Sequence, residues 1–201
     1  ISVQQPPKVK IPFEVTRLGA MNNVTKENSP EKVISEILTS QSINGNVVAS
    51  QNATEGLLRG LEQSNYLSAE IIEPQPLTLG GTPNWSTIDS LCAARNIHAL
   101  IELTEVQTIS PVGGTVIANA SGQNSTRLEG YLYSTIYIAN SHEQIERLSV
   151  RRFYTIPLSG STNIIAVLND VQRKQEYYRA LGYELGFGTG ALFYANWVWV
   201  D

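Results

Sequence analysis

The residues of this chain that could carry chemistry are few and scattered. His98 and His142, the single cysteine Cys92, and the three aspartates Asp89, Asp170 and Asp201 stand at spacings that match no metal-ligand or triad signature. Neither Gly-x-Ser-x-Gly nor His-Glu-x-x-His occurs, so there is no sequence sign of a nucleophile elbow or a zinc helix. Gly186-Phe187-Gly188-Thr189-Gly190 has the glycine density of a phosphate-cradling loop. It falls inside a helical pattern, however, and such loops work by joining a strand to a helix N-terminus. Glu102 and Glu105 share one strand pattern, and strict alternation puts them on opposite faces, which denies them a joint acid–base role. No catalytic, cofactor-binding or metal-binding residue is assigned, and no cofactor is expected. What remains is recognition. Tyr131, Tyr133 and Tyr137 alternate along one strand, with Arg147 and Arg151 on the strand expected beside it. Aromatic and guanidinium side chains are enriched at protein interfaces and can stack on sugars, so these five residues form the candidate binding face. The competing reading is an ordinary sheet face covered by a helix.

The element that positions this face is the alternation from Arg127 to Asn140, with Leu128, Leu132, Ile136 and Ile138 on the side opposite the tyrosines. Glu146 to Leu158 returns across a turn at Ser141 to Gln144. It sets Leu148, Val150, Tyr154 and Ile156 on one face and Arg147, Arg151 and Phe153 on the other. Ile97 to Val106 starts apolar on both faces, the mark of a strand covered on both sides, and is expected to be central. Val15 to Met21 and Leu67 to Glu73 supply two earlier strands. Helices are expected after Pro30, with Val33, Ile34, Ile37 and Leu38 on one face, and from about Val47 to Ser64. A short helix capped by Ser86 carries Ile88, Leu91, Cys92 and Ala94. A long helix from Asn163 to Asn196 closes the chain, burying Ile164, Val167, Leu168 and Val171. Its Gly182, Gly186 and Gly190, four apart, predict close approach to another backbone, since each interior glycine costs about 1 kcal/mol of helix propensity.

These elements define an α/β fold: a mixed five-stranded sheet in the order 2-1-3-4-5, with a C-terminal antiparallel meander, flanking helices and a long closing helix. Residues 1–12, with Pro6, Pro7 and Pro12, read as an extended N-terminal tether holding at most a short strand at Val9 to Ile11. Residues 13–201 read as a single α/β domain. A chain of 201 residues, 42% hydrophobic, is long enough to bury roughly 70% of its unfolded surface in one domain. The net charge of −4 and pI near 5.3 give no basic field, so nucleic acid is not an expected partner. The single cysteine excludes an internal disulfide. No apolar run reaches the 18 or more residues of a membrane span. The start at Ile1 is read as a processed or trimmed amino terminus. Glycosylation-type sequons at Asn23, Asn52, Asn84, Asn119 and Asn124 would be surface glycan sites in a secreted eukaryotic protein, and a chain rich in Asn, Ser and Thr also produces them by chance.

Several stretches together carry a family likeness: Pro7-Lys8-Val9-Lys10-Ile11-Pro12, Val15 to Asn22, the Leu-rich helix around Gly56 to Leu61, the tyrosine strand, and Gly182-Tyr183 to Trp197-Val198-Trp199-Val200-Asp201. The chain resembles the amino-terminal domain of a family of Bacteroidetes cell-envelope lipoproteins, whose members are similar in fold to the amino-terminal domain of TolB and to the curli-transport lipoprotein. In that family a helical repeat region commonly follows the Trp-Val-x-Val segment. The resemblance implies a periplasmic or envelope location with a lipid anchor ahead of Ile1, and a non-catalytic role in binding another envelope protein or a glycan. A hydrolase acting on envelope polymers is the alternative. The resemblance carries no activity and no site.

Overall fold

The structure, a computed structural model, describes residues 2–24, 45–109, 117–118, 124–157, 175–194 and 196–199. The expected first helix after Pro30, most of the segment between residues 110 and 123, and the Asn163 to Val171 part of the closing helix lie outside the described residues. The strands are β1 (Ser2–Gln5), β2 (Arg17–Asn22), β3 (Ser68–Ile72), β4 (Thr78–Leu79), β5 (Thr82–Pro83), β6 (Ala99–Ile109), β7 (Ile117–Ala118), β8 (Asn124–Ile138), β9 (Glu143–Pro157) and β10 (Asn196–Trp199). The α-helices are α1 (Gly45–Leu61), α2 (Trp85–Arg95) and α3 (Gln175–Gly190).

The main sheet is mixed and runs β3-β2-β6-β8-β9, the expected 2-1-3-4-5 order. β2 is parallel to β3 and β6, and β6, β8 and β9 form the antiparallel meander. β6 is therefore internal, as its two apolar faces require. The two-residue β7 pairs with Ser125 and Asn124, beyond the stretch of β8 that β6 occupies.

Helices cover the two sheet faces unequally. α1 and α3 lie on one face, where Ala49, Ala53, Leu57, Leu181 and Leu185 join Leu128, Leu132 and Ile136 in the larger core. The leucine face of β8 thus receives the closing helix as its alternation predicts, through Tyr178, Leu181 and Leu185. On the other face α2 packs Ile88 and Cys92 onto a smaller cluster with Met21, Ile72, Leu100 and Tyr137. α2 is only 11 residues long. It covers one end of that face and leaves the far end of the meander bare.

α1 and α3 pack backbone to backbone. A β-carbon on Gly186 would lie 2.7 Å from the Ala53 carbonyl carbon and closer still to its oxygen. One on Gly60 would lie 2.6 Å from the Phe187 carbonyl oxygen, and Gly182 and Gly190 meet Ala49 and Leu61 in the same way. The expected glycine face exists, and its partner is a helix carrying small residues of its own.

Four sequence expectations are corrected. The closing helix stops at Gly190, a 3₁₀ turn covers Ala191–Phe193, and Asn196 opens β10 rather than ending a helix. Residues 1–12 are not a free lead-in: β1 pairs antiparallel with β10, and Val9 is buried with its N–H donated to the Leu192 carbonyl at 2.9 Å. Asn84, not Ser86, caps α2, its Oδ1 accepting from the Thr87 N–H at 3.3 Å. Finally, β6 shifts register between Leu103 and Glu105. Glu102 pairs with Thr135 and Glu105 with Tyr133, so one irregularity brings the two glutamates onto the same face.

Candidate functional site

The bare end of the sheet is built by β6, β8 and β9. Register sets Tyr133 between Glu105 and Ser149, Tyr131 between Gln107 and Arg151, and Glu129 between Ile109 and Phe153. In an antiparallel sheet directly paired residues share a face, so these side chains line up in three rows. The guanidinium of Arg127 stands 3.8 Å from the centre of the Phe153 ring, and that of Arg151 stands 4.6 Å from Phe153 and 5.5 Å from Tyr131. Arg147 reaches to 5.6 Å from the Tyr133 ring. Arg147 has φ 53° and sits where the β8–β9 register shifts, so the irregularity aims this side chain. Each such exposed cation–π contact is worth about 0.5 to 1 kcal/mol.

Glu129 knits the rows together, accepting hydrogen bonds from Arg151 Nε and from the Tyr131 hydroxyl. Burial pushes its carboxyl upward, but the hydrogen bonds from Arg151 and Tyr131 and the charges of Arg151 and Arg127 outweigh this and hold it below the ordinary carboxylate value. The same hydrogen bond, followed by burial, raises the Tyr131 phenol. A carboxyl with a depressed folded pKa contributes stability above the ordinary carboxylate range, and that contribution is lost as pH falls through the folded value. Glu129→Gln should therefore show a smaller fall in Tm than wild type between about pH 5 and pH 3. An unchanged acid limb of the Tm–pH curve would show that the Arg151 and Tyr131 bonds do not hold Glu129 in solution.

Of the five residues expected on the face, Tyr131, Tyr133, Arg147 and Arg151 are brought together there. Tyr137 is not. It is 1% exposed, donates its hydroxyl to Glu102 Oε2 at 2.8 Å, and packs edge-on against Trp85 of α2 at 6.2 Å. Arg127, Glu129 and Phe153 complete the face in its place. Their signal was present in the alternation, since Arg127 and Glu129 share odd parity with Tyr131 on β8, as Phe153 does with Arg151 on β9.

Concave regions also lie elsewhere among the described residues. A groove of about 400 Å³ is lined by Asp89, Cys92, Asn96, Asn140 and His142 among others. His142 Nε2 is 3.0 Å from Asp89 Oδ2, and its ring stacks on Trp85 at 4.8 Å. Cys92 lines the same groove, but burial and the neighbouring Asp89 push its thiol up to about 11. On the order of one thiol in ten thousand is then ionised at pH 7, the reverse of what a cysteine nucleophile needs. A cleft of about 460 Å³ lies at the carboxyl end of β2, between Asn22, Asn23, Val24 and the Pro74-Gln75-Pro76 segment. The buried Glu102 beside it is already satisfied, by Asn23 Nδ2 at 2.5 Å and by Tyr137. Asn23 Nδ2 donates to Glu102 and to the Gln75 carbonyl, and Asn84 Oδ1 caps α2. Among the described residues no three His, Cys, Asp or Glu side chains converge as a metal site, and no helix is long and apolar enough to cross a membrane.

No curated protein matches the chain. Similar solved structures are remote. They include the PelC dodecamer from Paraburkholderia phytofirmans, with 8% identity, 98% of each chain covered and a TM-score of 0.39. The hypothetical protein CT253 from Chlamydia trachomatis has 14% identity over 88% of this chain and 97% of that one, with a TM-score of 0.39. Uncharacterized lipoprotein B from Nitrosomonas europaea has 10% identity over 92% and 94%, with a TM-score of 0.34. Family membership rests instead on the sequence: a family model matches residues 15–201, and the chain belongs to the family described as Domain of unknown function (DUF8603).

Proposed function

We propose that this is a non-catalytic cell-envelope domain that binds another protein or a glycan through the exposed face of β6, β8 and β9. The observation that carries the reading is the ladder of Arg127, Phe153, Arg151, Tyr131, Arg147 and Tyr133, left bare because α2 covers only the Tyr137 end of the sheet. Aromatic and arginine side chains held rigid by neighbours lose little freedom on binding and are the side-chain types enriched where binding energy concentrates. The envelope placement, with a lipid anchor ahead of Ile1, rests on the resemblance to Bacteroidetes lipoproteins with TolB-like and curli-transport-like domains. A hydrolase of envelope polymers would need an activated group in a cleft. The upward shift of Cys92 argues against a cysteine nucleophile in the Asp89 and His142 groove.

Tyr133→Ala and Arg151→Ala are expected to stay within about 1 kcal/mol of wild-type stability, as surface changes usually do. Both should lose a partner that the wild-type domain retains from an envelope extract. Capture of the same partner in equal amount by both variants would refute the reading.

A further inference from the structure

β9 closes the sheet. Among the described residues it pairs with β8 alone, so along the outer edge of a 15-residue strand the N–H and C=O groups are taken up by no described strand. Long edges of this kind are usually blunted by bulges, charges or proline. Here the irregularity sits at the start, where the β8–β9 register shifts and Arg147 turns to φ 53°, and the only proline is the final residue, Pro157. Leu148 to Pro157 is regular strand, paired residue for residue with β8 from Ser134 back to Ser125.

In the middle of this stretch stand Arg151 and Arg152, both exposed. As consecutive strand residues they project to opposite faces. Arg151 lies over Tyr131 and Phe153 on the bare face, and Arg152 lies against Gly188 of α3 on the other. A strand laid along this edge would meet a guanidinium on each of its own faces. Arg151 already shares Glu129, and Arg152 donates from Nη1 to the Arg151 carbonyl oxygen at 2.9 Å. The acids of β9, Glu143 and Glu146, lie before Arg147 and away from the regular stretch. In a chain of net charge −4, the regular stretch of β9 itself thus carries two arginines and no acid.

These features discriminate among occupants. A second copy adding its β9 antiparallel about this centre would set arginine against arginine, which is unfavourable for directly opposed like charges. A polysaccharide has no backbone ladder to offer the edge, and the ring faces of Phe153, Tyr131 and Tyr133 already carry guanidinium groups. An extended acidic peptide satisfies both the ladder and the charge. We infer that the Leu148 to Pro157 edge of β9 takes up an extended acidic polypeptide segment as an added strand. This rests on the reading of the adjacent face as a binding surface and names its partner class.

The test uses the whole chain with three probes: a short synthetic peptide alternating Glu and Thr, the same peptide N-methylated at alternate residues, and alginate as a polyanion without peptide groups. Amide hydrogen exchange is followed by NMR. With the plain peptide, the β9 amides pointing away from β8 should slow by roughly tenfold or more, and binding should weaken as salt rises. The N-methylated peptide keeps the charges but lacks ladder donors, and should give no protection. Arg151→Glu with Arg152→Glu should abolish binding of the plain peptide. Arg151→Glu alone serves where the double variant, which also disturbs the Gly188 contact, unfolds. Binding of the peptide without β9 protection, equal binding of the N-methylated form, or equal binding of alginate would each overturn strand addition, while leaving the side-chain face able to bind. Protection of the same amides by raising protein concentration alone would overturn it in favour of a second copy.

Discussion

Gly186→Ala is expected to destabilise the protein by about 1 to 3 kcal/mol, although glycine to alanine inside a helix ordinarily gains about 1 kcal/mol. The sign follows from what the new methyl group would meet. Its position lies 2.7 Å from the Ala53 carbonyl carbon and 2.8 Å from the Leu57 nitrogen, and both are backbone atoms of α1. A flexible side chain could swing aside, but a helix backbone can yield only by moving as a body. α1 and α3 would have to separate, loosening the packing of Ala49, Ala53, Leu57, Leu181 and Leu185 in the larger core. Urea unfolding of wild type and variant measures the difference. Ala53→Gly should not rescue the variant, because the obstruction is the Ala53 carbonyl and not its methyl group. A Gly186→Ala protein as stable as wild type, or more so, would show that the helices do not approach this closely.

That contact was legible because four-residue glycine spacing is a local pattern with one physical use. The sheet order was legible for a similar reason: a strand apolar on both faces, two crossover strands before it and an alternating meander after it leave little topological choice. What escaped the sequence is non-local or a single-residue effect. Pairing of β1 with β10 joins the two ends of the chain, and nothing in Ser2 to Gln5 names a partner nearly 200 residues away. One register shift in β6 reverses the facing of Glu105 relative to Glu102, and no period-2 count can foresee an added residue. Asn84 and Ser86 are both good cap residues two positions apart, and the choice between them is made by where the preceding Leu77 and Asn84 backbones meet. The candidate face was half legible. Parity puts Tyr131, Tyr133 and Tyr137 on one side of β8, but parity says nothing about how far along a strand the covering layer extends. That limit is set by the 11 residues of α2, which reach Tyr137 and stop.

The same limit gives the sharpest expected contrast between two tyrosines four residues apart on one strand. Tyr137→Ala should cost about 3 to 5 kcal/mol, the range for emptying the site of a fully buried aromatic. Its ring is 1% exposed among Met21, Ile88 and Leu100, with Trp85 edge-on above it. Tyr137→Phe should cost less, about 1 to 3 kcal/mol, because the ring stays and only the hydroxyl leaves. Glu102 Oε2 then loses its donor, while Oε1 retains Asn23 at 2.5 Å. Tyr133→Ala, at the bare end of the same face, should cost about 1 kcal/mol, since its half-buried ring opens to solvent and its removal loses one cation–π contact with Arg147. The order Tyr137→Ala, Tyr137→Phe, Tyr133→Ala in denaturant midpoint is thus set by where α2 ends, not by residue type. If Tyr133→Ala destabilised as much as Tyr137→Ala, the far end of the meander would be core. The arginine and aromatic ladder would then be packing, and no surface would remain there for a partner to bind.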